Sequence, residues 1–176
     1  MLDLFVVDAV QGKRIPAIVD TATEQDLAKT QDWQTDWSTP FAAHLPNKVA
    51  LHRRDDGELL GLMSYELDEG SLAVEIIYIE SARHSNANLL HVTGDHKRYL
   101  GIAKALLAYG IQISLQAGFD GVLIFKAKTS ELMEYYMREF GARPTGSYDP
   151  FRLVIWEDAA EQIISEFRRD QNAENE

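Results

Sequence analysis

Cysteine is absent from this sequence of 176 residues. Its absence excludes disulfides, a thiol nucleophile and any metal site built on thiolates, and it fits a reducing compartment. No run reaches the roughly 18 uninterrupted apolar residues of a membrane-spanning helix, so we expect no membrane partner. No basic segment precedes the first apolar stretch, which Asp3 and Asp8 interrupt, so the start does not predict a signal peptide. These absences favour a cytoplasmic protein.

Positive charge is also scarce, with 17 Lys and Arg against 28 Asp and Glu and a net charge of −11. A surface this acidic repels phosphodiester backbones, so we expect no nucleic acid among the partners. Several basic residues nevertheless fall close together in sequence: Lys97, Arg98, Lys104, Lys126, Lys128, Arg138 and Arg143. They either converge on a site for a compact polyanion or are scattered solubilising charges.

The pattern of apolar residues predicts an α/β fold of the α+β type. A hairpin over residues 4–19 and a three-strand meander over residues 49–79 are bounded by turn residues. We then expect a polar loop at 81–96, a helix at 99–117, a strand at 121–127, a helix at 130–140, a strand at 152–156 and a helix at 157–169. This order predicts a mixed, mostly antiparallel central sheet with helices on both faces. Residues 1–169 are expected to form one domain, and residues 170–176 a short disordered polar tail.

The last strand of the meander is apolar on both sides, which is typical of a central strand covered on both faces. Strict alternation places Ile76, Tyr78 and Glu80 on one face. It places Ile77 and Ile79 on the other.

The segment Arg98-Tyr99-Leu100-Gly101-Ile102-Ala103 stands where the long helix is expected to begin. Backbone N–H groups at a helix N-terminus lack internal partners and carry the positive end of the helix dipole, so they bind phosphate well. The small residues Gly101 and Ala103 let a pyrophosphate approach the backbone, and Lys97, Arg98 and Lys104 add charge. The alternative is a glycine that only tightens a turn between loop and helix.

With this turn after a central strand, residues 74–141 resemble the GNAT superfamily of acyl-CoA-dependent N-acyltransferases. In that superfamily the pattern Q/R-x-x-G-x-G/A opens the helix and binds the CoA pyrophosphate, and RYLGIA matches every fixed position. The first half of the chain is similar only in the order of its elements. The resemblance implies acetyl transfer from acetyl-CoA to a primary amine by direct attack in a ternary complex, without a metal, and a possible homodimer. The alternative is a GNAT-like module that binds acyl-CoA without catalysis.

The resemblance also implies which residues bind the cofactor and act in catalysis. The cofactor would contact the backbone of Ile77, Tyr78 and Ile79 and the turn formed by Lys97, Arg98, Tyr99, Leu100, Gly101, Ile102, Ala103 and Lys104. Tyr136 is the candidate acid that protonates the leaving thiolate. It lies one residue further from Gly141 than is common in the superfamily, so Tyr135 remains an alternative. Glu80 is the candidate base and Glu75 the alternative, although either carboxylate could instead serve in a salt bridge.

The loop at 81–96 is longer than the short turn common in the superfamily, and its Asn-containing insertion could shape the acceptor pocket or a dimer contact. Its histidines, His84, His91 and His96, have an irregular spacing that favours solvated side chains over metal ligands.

Three aromatic residues precede the meander: Trp33, Trp37 and Phe41. In the superfamily, elements at this place close over the acceptor, so these side chains either line an acceptor pocket or form a small separate core.

Overall fold

A nine-stranded sheet organises residues 2–168, the part of the chain that this computed structural model describes. Its strands are β1 (Phe5–Asp8), β2 (Arg14–Thr21), β3 (Lys48–Arg53), β4 (Leu59–Asp68), β5 (Ala73–Ser81), β6 (Tyr99–Leu100), β7 (Leu123–Lys126), β8 (Arg143–Pro144) and β9 (Arg152–Ile155). The helices are α1 (Glu24–Ala28), α2 (Pro40–Ala43), α3 (Ala87–Thr93), α4 (Ile102–Gln116), α5 (Ser130–Phe140) and α6 (Glu157–Ser165), with a 3-10 helix at Arg83–Ser85.

The strands lie in the order β6-β1-β2-β3-β4-β5-β7-β9-β8. Each pair of neighbours is antiparallel except β5 and β7, which are parallel and are connected through α4. The predicted hairpin and meander are both confirmed. The predicted fold class, a mixed and mostly antiparallel sheet with helices on both faces, is confirmed as well.

Of the three buried clusters in residues 2–168, the two largest cover the two faces of the sheet. The larger one joins α4 and α6 to one face, and the smaller one joins Trp33, Trp37 and α2 to the other. Alternation along a strand assigns each side chain to a cluster. In β3, for example, Leu51 belongs to the larger cluster and Ala50 to the smaller one.

The prediction of a polar loop at 81–96 is wrong, because this segment contains the 3-10 helix and α3. The Asn86 side chain caps α3 by accepting hydrogen bonds from the N–H groups of Asn88 (3.0 Å) and Leu89 (3.4 Å). Gly94 ends the helix in the left-handed conformation, with φ of 74°. These capping signals are present in the sequence, but the helix is too short for a clear apolar period.

The predicted start of the long helix is also wrong. Tyr99 and Leu100 form β6, where they pair with Asp8 and Val7 of β1, and α4 begins only at Ile102. Tyr99 precedes the buried Ile102 of α4 by three residues, which is a helical spacing. It is nevertheless a strand residue, buried where β6 pairs with β1.

The last helix ends at Ser165, and the antiparallel bridge between Leu2 and Arg168 follows it. Residue 169, the predicted helix end, lies outside the described residues, as does the predicted tail at 170–176. A single domain over residues 1–169 stays a prediction. Within residues 2–168 no helix has both the length and the apolar character needed to cross a membrane.

Candidate active site

A cavity of about 220 Å³ opens where β5 and β7 diverge. The two strands pair only from Val74 to Ile76, opposite Leu123 to Phe125, so the rest of β5 runs on without a partner on that side. The cavity is lined by Gln34, Ile76, Ile77, Tyr78, Ile79, Glu80, Ser81, Ser85, Asn86, Ala87, Asn88, Lys97, Ala103, Phe125, Lys128, Leu132, Tyr135 and Tyr136. It therefore brings together one end of the central strand, the start of α4 and one side of α5.

The start of α4 is open. Gly101 occupies the N-cap position with φ of 86°, a conformation that favours glycine, and no described side chain caps the helix. A Cβ built on Gly101 would meet nothing within 4 Å. Because the first N–H groups of a helix have no partner inside the helix, this turn presents donors beside Lys97 and Ala103, which line the cavity.

Other side chains of the predicted cofactor turn have different partners. The Arg98 guanidinium contacts Glu58 at 3.0 Å, and the Tyr99 hydroxyl donates to Glu58 at 2.9 Å and accepts from Arg53 at 2.6 Å. Burial raises the pKa of Tyr99, and its hydrogen bond from Arg53 opposes that rise. Their backbone N–H groups are engaged as well, since that of Arg98 donates to the carbonyl of His84 at 2.9 Å and that of Tyr99 donates to the Ser85 hydroxyl at 3.0 Å.

The remaining residues of the turn are engaged similarly. Lys104 forms an ion pair with Glu166 at 2.5 Å. Ile102 is buried in the core, and Leu100 pairs with Val7 in the sheet. The basic charge expected around the turn is thus largely neutralised by neighbouring acids.

A β-bulge shapes β5 at the cavity. Tyr65 pairs with Ile76 and Ser64 pairs with Tyr78, which leaves Ile77 without an opposite residue in β4. Ile77, Tyr78 and Ile79, the predicted sites of contact with the pantetheine arm, all line the cavity.

The bulge corrects the predicted faces of β5. Ile76 packs in the larger cluster, where its Cδ1 lies near Gly110 of α4, and Ile79 also packs against that cluster. Tyr78 and Glu80 face the smaller cluster on the opposite side. Strict alternation had placed Ile76 together with Glu80, because a sequence pattern does not reveal the extra residue of a bulge.

Glu80 is a buried carboxylate that lines the cavity. Its Oε1 accepts the N–H of Thr35 at 3.1 Å, and its Oε2 accepts the indole N–H of Trp37 at 2.9 Å. Burial raises the pKa of Glu80, while these hydrogen bonds and the charge of Lys128 oppose the rise. The carboxylate of Glu80 is thus fixed in position by two hydrogen bonds, and it takes up a proton more readily than a carboxylate in water.

Glu75, the alternative base, has a different environment. It does not line the cavity, and its carboxylate contacts the Arg152 guanidinium at 3.4 Å. This contact matches the salt-bridge role that the sequence left open.

Tyr135 and Tyr136 both line the cavity from α5. The Tyr136 ring packs on Phe125 and Phe140, with centroid distances of 4.9 and 6.0 Å. Burial raises the pKa of Tyr136 to about 12, and it also raises the pKa of Tyr135. Both hydroxyls are therefore protonated at neutral pH and able to donate.

The aromatic residues before the meander divide between two roles. Trp33 and Trp37 belong to the smaller core, which was one of the two expectations. Phe41 is 59% exposed and lies edge-on to Tyr78 at 5.9 Å. The hydrogen bond from Trp37 to Glu80 was not predicted, because the two residues are far apart in sequence.

His84 does not fit the expectation of solvated loop histidines. Its Nδ1 lies 2.7 Å from the Ser85 hydroxyl, and its buried Nε2, 3.4 Å from Glu58, has no hydrogen-bond partner in the described chain. Burial lowers the pKa of His84, with Glu58 opposing this effect. Residues 2–168 contain no group of three or more His, Asp or Glu side chains that could hold a metal ion; the absence of a metal cofactor stays a prediction.

Comparison with known proteins identifies the fold through solved structures alone. No family model matches the sequence, and no curated protein sequence is similar to it. A GNAT-family acetyltransferase from Listeria monocytogenes 4b F2365 superposes with a TM-score of 0.55 at 11% identity, over 86% of this chain and 98% of that chain. The chain has the GNAT fold.

Two further structures with the GNAT fold include ligands. AtaTR bound with AcCoA matches with a TM-score of 0.51 at 14% identity, over 84% of this chain and 97% of that chain. AtaT complexed with acetyl-methionyl-tRNAfMet matches with a TM-score of 0.51 at 12% identity, over 84% and 98% of the two chains. At these identities the likeness is one of fold.

Proposed function

We propose that this protein is an N-acetyltransferase that transfers the acetyl group of acetyl-CoA to a primary amine by direct attack in a ternary complex. One observation carries the proposal: a single cavity joins the open first turn of α4, the unpaired end of β5, the buried carboxylate of Glu80 and the hydroxyls of α5. The GNAT fold, shared with a protein whose structure contains AcCoA, supports acetyl-CoA as the donor.

The start of α4 supplies the diphosphate contacts in this proposal. The N–H groups after Gly101 point out of the helix with the positive end of its dipole, and Lys97 adds one cation at the cavity. The empty space around Gly101 allows a close approach to the backbone. The pantetheine arm would lie along Ile77–Ile79, where β5 has lost β7 as a partner.

The same part of β5 supplies stabilisation for the thioester oxygen. Backbone groups that no longer pair with β7 are free to bond a ligand, and an N–H donor aimed at developing negative charge lowers the reaction barrier.

Glu80 acts as the base. An amine similar to lysine has a pKa of about 10.4, so its deprotonation at neutral pH costs about 4–5 kcal/mol. Glu80 accepts that proton directly or through a water molecule, and its raised pKa brings it closer to the amine. The amine nitrogen then bonds the thioester carbon, and the bond from carbon to sulfur breaks.

Tyr136 donates to the departing sulfur. With a pKa of about 12 its hydroxyl carries a proton throughout the neutral range. Complete transfer to a thiolate of pKa about 8.5 would cost about 5 kcal/mol at 1.36 kcal/mol per unit. Tyr136 therefore acts first by hydrogen-bonding to the developing thiolate, and Tyr135 is the alternative donor.

Acetyl-CoA binding and turnover test the proposal separately. Calorimetry should detect binding of acetyl-CoA, and an assay of free thiol release should show turnover with at least one member of a panel of small amines. Binding without turnover on any amine would favour the alternative, a non-catalytic acyl-CoA-binding module. A failure to bind acetyl-CoA or CoA would overturn the proposal as a whole.

Two further expectations accompany this function. AtaT is seen with a tRNA, but the net charge of −11 on this chain disfavours a nucleic-acid acceptor. The panel should therefore include an aminoacyl-tRNA, which we expect to be inert. A cytoplasmic location and a homodimer stay predictions.

A further inference from the structure

The wall of the cavity carries one acidic and two basic side chains. Among its lining residues, Glu80 has the carboxylate, while Lys97 and Lys128 have the ammonium groups. Lys97 precedes the turn at the start of α4, whereas Lys128 follows β7 and lies beside Tyr78. The cavity thus has one cation at the end proposed for the cofactor and another at the end that holds Glu80.

Lys128 forms no ion pair with an acid in residues 2–168, although its charge acts on Glu80. Its Nζ lies 4.7 Å from the centroid of the Tyr78 ring, and it has no hydrogen bond or ion pair with any residue in the range 2–168. Lys126, two residues earlier, contacts Asp149 at 2.7 Å. An exposed cation held over an aromatic ring at a cavity remains available to an anionic ligand group.

Lys128 also acts on the same part of the cavity as the candidate base. Tyr78 and Glu80 lie on one face of β5, and the charge of Lys128 lowers the pKa of Glu80 against the effect of burial. A ligand at this place meets a carboxylate that accepts its amine proton and an ammonium group that can bind a carboxylate. Opposite charges on the wall match a compound that carries both groups.

We infer that the acceptor is a small amino acid, whose amino group faces Glu80 and whose carboxylate is bound by Lys128. The inference rests on the proposed function and specifies its substrate class. A simple amine would leave the Lys128 ammonium group without a hydrogen-bonded anion and would add a second cation close to it. A free amino acid removes both costs, since its carboxylate forms a charge-assisted hydrogen bond with the ammonium group.

The test compares free amino acids with their amides as acetyl acceptors. For alanine, leucine and phenylalanine, each paired with its carboxamide, kcat/KM is measured with wild-type protein and with Lys128→Gln. The ratio of acid to amide in wild type is then divided by the same ratio in the variant. In this quotient the intrinsic basicity of each amine cancels.

We expect the quotient to be about 10 or more for at least one pair, as loss of one charge-assisted hydrogen bond predicts. Lys128→Arg should keep most of the preference, because it retains the charge. Lys126→Gln is the matched control and should leave the quotient near 1. Acetyl-CoA affinity, measured by calorimetry, should be unchanged in all three variants.

Three results would overturn the inference. A quotient near 1 for every pair, with turnover present, would exclude Lys128 as a carboxylate site and leave the acetyltransferase proposal intact. Acetylation of Lys128 itself, seen by mass spectrometry after incubation with acetyl-CoA alone, would make this lysine an acceptor instead of a binding group. If none of the amines tested is acetylated, the inference falls together with the proposed function.

Discussion

The turn before α4 and the end of β5 face the same cavity but are built in opposite ways. The turn presents backbone, since Gly101 has no side chain, no side chain among residues 2–168 caps the helix, and Arg98 and Tyr99 direct their side chains to Glu58. The end of β5 presents a side chain, Glu80, held by groups more than 40 residues away in sequence. Backbone donors suit a diphosphate that every acetyl-CoA carries, whereas a positioned carboxylate suits chemistry on one particular acceptor.

The largest effect should come from a change in the turn before α4. Gly101→Leu would place a side chain in the space above the first turn and force φ of 86° on a non-glycine residue. We expect acetyl-CoA affinity to fall about 100-fold or more, the equivalent of two lost charge-assisted hydrogen bonds. Calorimetry measures this affinity.

Gly118→Leu is the matched control, because Gly118 lies just beyond the other end of α4, also has positive φ, at 80°, and also has nothing within 4 Å of a Cβ. It should show the same backbone strain with normal affinity. Unchanged affinity in Gly101→Leu would refute the proposed phosphate site.

Changes to Glu80, at the end of β5, should alter the rate of acetyl transfer. Glu80→Gln removes the proposed base, and kcat/KM for the amine should fall about 100-fold or more, within the usual contribution of general-base catalysis. In wild type, activity should rise with pH as Glu80 ionises, with a midpoint above the ordinary value of 4.5 because burial raises this pKa. The variant should lack that acidic limb in a pH profile.

Trp37→Phe sharpens the same point. It removes the indole N–H that bonds Glu80 and so removes one of the effects that lower the pKa of this carboxyl. The acidic limb should move to higher pH while activity at high pH is largely kept. A limb that stays in place would show that another group titrates.

Tyr136→Phe should have a smaller effect. Loss of the hydrogen bond to the departing sulfur should lower kcat about tenfold with little change in acetyl-CoA affinity. Tyr135→Phe is the control on the neighbouring residue of α5, and single-turnover kinetics separate chemistry from release. If Tyr135→Phe has the larger effect, the two roles are exchanged; full activity in both variants would remove tyrosine from the mechanism.

The smallest effect should come from Tyr99→Phe. This change removes the hydroxyl that joins Arg53 to Glu58, while Arg53 keeps Asp55 and Glu58 keeps Arg98 as partners. We expect a loss of about 1 kcal/mol in the free energy of unfolding, measured with urea. Acetyl-CoA affinity should be unchanged, and a large loss of affinity would show that the turn relies on its side chains.

Much of the fold followed from local patterns, and the errors have physical causes. The meander was predictable because its turns carry Asp and Gly between apolar runs. The helix start was misplaced by three residues because Tyr99 is buried by the sheet at a spacing that mimics a helix. Lys128 was noted only as one of several cations, since its place beside Tyr78 depends on how β7 lies against β5.

By itself, the sequence determined the hairpin, the meander, the order of the elements from α4 to α6 apart from β8, the fold class and the glycine turn before α4. Turns and amphipathic helices arise from interactions between residues a few positions apart. Only the tertiary structure decided the bulge at Ile77, the hold of Thr35 and Trp37 on Glu80, and the convergence of Lys128 and Tyr136 on one cavity. These features depend on contacts between distant segments, and such contacts form only when the sheet brings the segments together.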